Sequence, residues 1–181
     1  HYESSYGDIN LREKAIEVTS KSRGFTPKIE QLLVTPGANF QIYLALACIA
    51  NRGDEVIIPD PGFVSYLSIA NYLGLKSIPL HIKEINKFRY RASDIKKLIT
   101  SKTKVIIINS PSNPTGGVTE QKELELIYEL AEKHNIWIIS DEIYARIIYP
   151  EGPNFYSLGS IDKCLKRTII VNGFSKAFAM T

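Results

Sequence analysis

Lys176 lies in Asn172-Gly173-Phe174-Ser175-Lys176-Ala177-Phe178-Ala179-Met180-Thr181, directly after the apolar run Thr168-Ile169-Ile170-Val171. An amine at the end of a buried strand, in a turn of small residues, can attack a carbonyl carbon or carry a proton. Two other apolar runs also end on residues with chemistry. Ile106-Ile107-Ile108 leads into Asn109-Ser110-Pro111-Ser112-Asn113-Pro114-Thr115-Gly116-Gly117. Ile136-Trp137-Ile138-Ile139 leads into Ser140-Asp141-Glu142-Ile143-Tyr144. A lysine, an amide, a carboxylate and a phenol thus follow strand ends. In an open α/β sheet, ligands bind along that edge.

The set suits pyridoxal phosphate (PLP), which needs a Schiff-base lysine and an acidic partner for its ring nitrogen. Lys176 fits the first role and can also move protons between carbons. Asp141 fits the second, because a carboxylate there keeps the ring cationic and electron-withdrawing. Glu142 competes with it, but alternation along an extended chain turns Glu142 to the other side. Asn113 and Tyr144 can donate to the ring oxygen. Gly37-Ala38-Asn39 opens a helix, whose free N–H groups and dipole favour a phosphate. Phe63 follows another strand and can stack on the ring. Each residue alone has an ordinary alternative: a surface lysine, a capping carboxylate, a turn asparagine or a core aromatic.

These residues must be held by elements whose patterns alternate between strand and helix. That alternation predicts one α/β domain over residues 1–181, a mostly parallel sheet with helices on both faces. Strands are expected at 32–34, 55–58, 75–80, 105–108, 136–139 and 168–171, with an antiparallel addition at 146–149. Helices are expected from about Asn10, which resembles a capping residue, from Thr35-Pro36-Gly37 to about Ala50, through Tyr66 to Leu73, from Ser93, which offers a cap, to Ile99 and from Glu120 to His134. Leu124, Ile127, Tyr128 and Ala131 give the last an apolar stripe at spacings of three and four.

Composition limits the partners. Of 181 residues, 44% are hydrophobic and 23% charged, and the net charge is only +3. Lysine and arginine are scattered, which argues against a nucleic-acid surface. The apolar runs are too short to cross a membrane. Cys48 and Cys164 are in no metal-ligand spacing, and no metal is expected. Two free thiols suit a reducing, cytoplasmic compartment.

In this order, five stretches resemble the class I/II aminotransferases, PLP enzymes of fold type I. They are Thr35-Pro36-Gly37-Ala38, Pro59-Asp60-Pro61-Gly62-Phe63, Asn109 to Gly116, Ser140-Asp141-Glu142-Ile143-Tyr144, and Gly173 to Thr181. The likeness is greatest to the subgroup containing aspartate and aromatic aminotransferases. It implies transfer of an amino group between an amino acid and a 2-oxo acid by a homodimer.

The same resemblance implies residue roles. Lys176 bonds the cofactor aldehyde, Asp141 pairs with the ring nitrogen, and Asn113 and Tyr144 contact the ring oxygen. Phe63 stacks, Gly37, Ala38 and Asn39 hold phosphate, and Tyr2 reaches the phosphate of the neighbouring subunit. Gly173 departs from the pattern, since many relatives carry a phosphate-binding serine there; Ser175 is the substitute. The chain is expected to be an incomplete large domain, without the N-terminal arm, the small domain or the phosphate and substrate arginines. Two alternatives keep the cofactor: another fold-type-I enzyme such as a carbon–sulfur lyase, and the effector domain of a transcription regulator.

Overall fold

A computed structural model describes residues 4–180. Its centre is a five-stranded sheet of β1 (Glu55–Asp60), β2 (Lys76–His81), β3 (Thr103–Asn109), β4 (Trp137–Asp141) and β5 (Thr168–Val171). The strand order is β2-β1-β3-β4-β5, and every pairing is parallel. The chain steps outward from β1 to β2 and then returns to the other side of β1 to place β3. The connections therefore reverse direction between β1 and β3, and a crevice opens at the carboxyl ends of those strands.

Side chains alternate between two covered faces. Val56, Ile58, Val105, Ile107, Ile139 and Val171 pack under α2 (Ala38–Ile49) and α3 (Val64–Tyr72). Ile57, Ile106, Ile108 and Ile138 pack under α4 (Ala92–Leu98), α5 (Gln121–Lys133) and α6 (Leu158–Ile161). This two-sided burial is why the strands read as unbroken apolar runs. Burying each such isoleucine contributes roughly 1.5–3 kcal/mol. Leu124, Ile127 and Ala131 form the buried stripe of α5, as their spacing predicts.

Several local expectations need correction. Residues 32–34 are not a strand. A single 3-10 turn at Ile29–Gln31 precedes them, Leu33 is exposed, and Val34 makes one backbone bond to Tyr6 instead of joining the sheet. Three apolar residues cannot form a strand without a neighbour to pair with. Residues 146–149 do not add a strand either. Ala145 and Ile147 N–H groups bond back to Glu142 and Tyr144, so the backbone is satisfied by local turns. In α1 (Ile9–Arg23) the cap is Asp8, whose carboxylate accepts from Leu11 N–H at 2.9 Å, not Asn10. In α4, Ser93 lies inside the helix, and Glu123 of α5 accepts from Ala92 N–H instead. The short α6, capped by Ser157, is an element the sequence pattern misses.

Candidate functional site

A cleft of about 310 Å³ opens at the carboxyl edge of the sheet. It is lined by Gly37, Ala38, Asn39, Phe63, Asn113, Asp141, Tyr144, Ser175 and Lys176. Every candidate residue therefore converges on it except Tyr2, which lies outside the described residues. Their sources are separate: the α2 start, the turn after β1, the loop after β3, the β4 end with its following turn, and the turn after β5.

Asp141 is the last residue of β4 and is 3% exposed. Its Oδ2 accepts from the Tyr66 hydroxyl at 2.6 Å, and its Oδ1 accepts from Ile143 N–H at 3.2 Å. Neither donor is a cation. Burial pushes the Asp141 carboxyl above its usual range, and the bond from Tyr66 pulls it partly back. Glu142 is also buried but turns away from the cleft. It accepts from Arg23, Ser140 and Ser157 and from the Leu158 N–H. Burial raises its carboxyl as well, opposed first by the Arg23 charge.

Lys176 is exposed on the cleft rim, with its Nζ 6.0 Å from the centre of the Tyr144 ring. Its turn is tied to α2 through a reciprocal amide pair. Gln41 Nε2 donates to the Asn172 carbonyl at 3.0 Å, and Asn172 N–H donates to Gln41 Oε1 at 3.2 Å. At the start of α2, Gly37 has φ 89 and ψ 163, and no side chain caps the first turn. Backbone of that kind is essentially reserved for glycine. The N–H groups of the first turn thus remain available to an anion beside the cleft.

Three contributors had no distinct signal in the sequence. Tyr66 lies in α3 and reads as an ordinary core aromatic. Gln41 reads as a polar helix residue. Asn109 is quoted within the loop motif, but its bonds are what organise the strand ends. It donates from Nδ2 to the Asp141 carbonyl at 3.1 Å, and its Oδ1 accepts from Asn113 N–H at 2.7 Å. Its own N–H donates to the buried Tyr90 hydroxyl at 3.0 Å. A larger groove of about 870 Å³ is lined by α1, the 31–38 segment and β5. It is mostly apolar and holds neither Asp141 nor Lys176, so the chemistry points to the smaller cleft.

Comparisons with known proteins show the family. The family model for aminotransferase class I and II matches residues 1–181. Aromatic-amino-acid aminotransferase 2 of Thermococcus litoralis is 42% identical, over 100% of this chain and 46% of its own length. The aspartate aminotransferase of Pyrococcus abyssi is 41% identical, over 100% of this chain and 46% of its own. The crystal structure of an aromatic aminotransferase from Pyrococcus horikoshii superposes with a TM-score of 0.95 at 40% identity. That match covers 100% of this chain and 48% of the other. The chain spans about half the length of the curated relatives it matches.

Proposed function

The chain belongs to the aminotransferase class I and II family, and from that premise we propose that it forms the PLP-binding large-domain part of an aminotransferase acting on aspartate or aromatic amino acids. The observation that carries the proposal is Asp141, a buried carboxylate with no cationic donor among the described residues, in one cleft with Lys176 and the uncapped start of α2. A buried carboxylate of that kind is costly unless a positive partner arrives.

The residues present fit PLP. Asp141 would meet the protonated ring nitrogen, and Phe63 would lie against the ring. Asn113 and Tyr144 would donate to the ring oxygen. The first-turn N–H groups of α2, with Ser175, would hold the phosphate. When bound, the group supplies an aldehyde that captures amines and a ring that withdraws electrons from the carbon next to nitrogen. Lys176 would supply the amine that anchors the aldehyde. Once free, the same amine can carry a proton between neighbouring carbons. Tyr144, beside the Lys176 amine, would help orient it.

Three further readings accompany this one. The chain acts within a longer polypeptide, whose other parts would bind the substrate carboxylate. It pairs with a second copy, which would cover the exposed apolar residues Phe40, Val64, Leu67 and Tyr72 of α2 and α3. It works in the cytoplasm, which suits the two free, exposed cysteines. None of the described helices is long and apolar enough to cross a membrane.

The test uses the full-length protein with PLP, aspartate or an aromatic amino acid as donor, and 2-oxoglutarate as acceptor. Formation of the matching 2-oxo acid, dependent on the acceptor, is the expected result. Release of pyruvate and ammonia without an acceptor would point to lyase chemistry instead.

A further inference from the structure

We propose that Tyr66 is a positioning residue that fixes the Asp141 carboxylate in its orientation toward the cofactor ring nitrogen, an inference that rests on the PLP reading above. The carboxylate has two oxygens, and each is held by one donor. Ile143 N–H holds Oδ1 at 3.2 Å, and the Tyr66 hydroxyl holds Oδ2 at 2.6 Å. The first donor is part of the Asp141 turn itself. The second comes from a different element, α3, across 75 positions of sequence. Without Tyr66, one backbone bond would remain, and the carboxylate plane could rotate about it.

Tyr66 is itself fixed. It is fully buried, and its ring meets Phe63 edge-on at 5.7 Å between centres. Its N–H bonds the Phe63 carbonyl at 3.1 Å. One turn of chain thus carries both the aromatic ring placed to stack on the cofactor and the hydroxyl that holds its acidic partner. Tyr66 itself lines the cleft. A phenol has one proton to donate, and here it goes to Asp141. Burial, followed by the charge of Asp141, raises the phenol above its ordinary range, so the donor stays protonated.

The test is Tyr66→Phe in the full-length protein, because phenylalanine keeps the ring and removes only the hydroxyl. Affinity is measured for PLP and for its analogue with carbon in place of the ring nitrogen. Tyr66→Phe should weaken PLP about tenfold, since a bond to a charged group typically contributes that much or more, and should leave the analogue unchanged. In an Asp141→Asn background the same change should add no further loss. A carboxyl-carbon NMR titration of the ligand-free protein gives a readout without cofactor: the Asp141 midpoint should move upward. Difluorotyrosine at 66 keeps the shape and strengthens the donor, so it should move that midpoint downward even if the phenylalanine variant folds poorly.

Equal loss for both ligands, or losses that add in the double variant, would reduce Tyr66 to a packing residue and overturn the inference. A fixed Asp141 midpoint in both variants would do the same. Wild-type protein that binds PLP no better than the analogue would instead overturn the pairing of Asp141 with the ring nitrogen.

Discussion

Glu142 accepts a hydrogen bond from Arg23 at 2.9 Å across 119 positions of sequence, while its neighbour Asp141 faces the opposite way into the cleft. Both side chains of the pair are almost fully buried. The guanidinium also lies over the Phe155 ring at 4.8 Å. The pair ties the end of α1 to the segment that carries Asp141. Glu142→Gln would leave the Arg23 charge without its counterion. The expected cost is about 3–5 kcal/mol of folding stability, read from urea unfolding. An unchanged midpoint would show that water reaches the arginine.

Asp141→Asn should have opposite effects on ligand-free stability and on PLP affinity. The folded carboxyl sits above its unfolded range because burial disfavours the charge. The folded state therefore holds more protons, and wild-type stability falls as pH rises from the ordinary carboxylate range through the raised folded value. Asparagine mimics the neutral form. The ligand-free variant should match wild type at low pH and exceed it near pH 7, while binding PLP more weakly. Thermal unfolding at pH 3.5 and pH 7, about either side of the ordinary carboxylate value, checks the sign. A variant less stable than wild type at pH 7 would contradict it.

Borohydride reduction of the full-length protein with PLP should fix the cofactor to the single peptide that contains Lys176. Label on Lys163 or Lys166 would reassign the site. Lys176→Ala should lower turnover by roughly 10²–10⁴-fold through loss of proton transfer alone.

Gly37→Ala separates backbone strain from steric conflict. An added Cβ would meet nothing within 4 Å, yet the residue has φ 89. The expected cost is about 1–3 kcal/mol, or a shift of the α2 start that relieves it. Either outcome should weaken binding of the phosphate group more than binding of pyridoxal without it. Comparing the two affinities by titration tests this; equal losses would place the phosphate elsewhere.

The strands and the chemistry at their ends were legible in the sequence because both sheet faces are covered. Runs such as Ile106-Ile107-Ile108 then have no polar interruption, and the next polar residues must fall on the ligand edge. Asp141 and Glu142 could be told apart by alternation alone. Residues 32–34 misled because a short apolar run does not reveal whether a neighbouring strand exists to pair with it. Tyr66, Gln41 and Asn109 were hidden for a related reason. Each bonds a partner between 32 and 131 positions away, Asn109 in addition to nearer ones, and local spacing carries no trace of such distant contacts. The cap on α4 is similar, since its acceptor Glu123 belongs to another helix.

Asn109 sits opposite Asp141 in the β3–β4 register and serves three backbone and side-chain groups at once. The consequence is one of evolutionary accessibility. Aspartate at 109 would lose the donor to the Asp141 carbonyl, glutamine would lengthen the reach, and serine would replace two separated amide atoms with one short hydroxyl. None of these replacements keeps both side-chain bonds, whereas the backbone bond to Tyr90 survives each of them. Lineages that diverge in the loop between residues 110 and 117 should therefore vary around a fixed asparagine. The rim of the cleft would be free to drift toward new substrates while the spacing of its floor stays inherited.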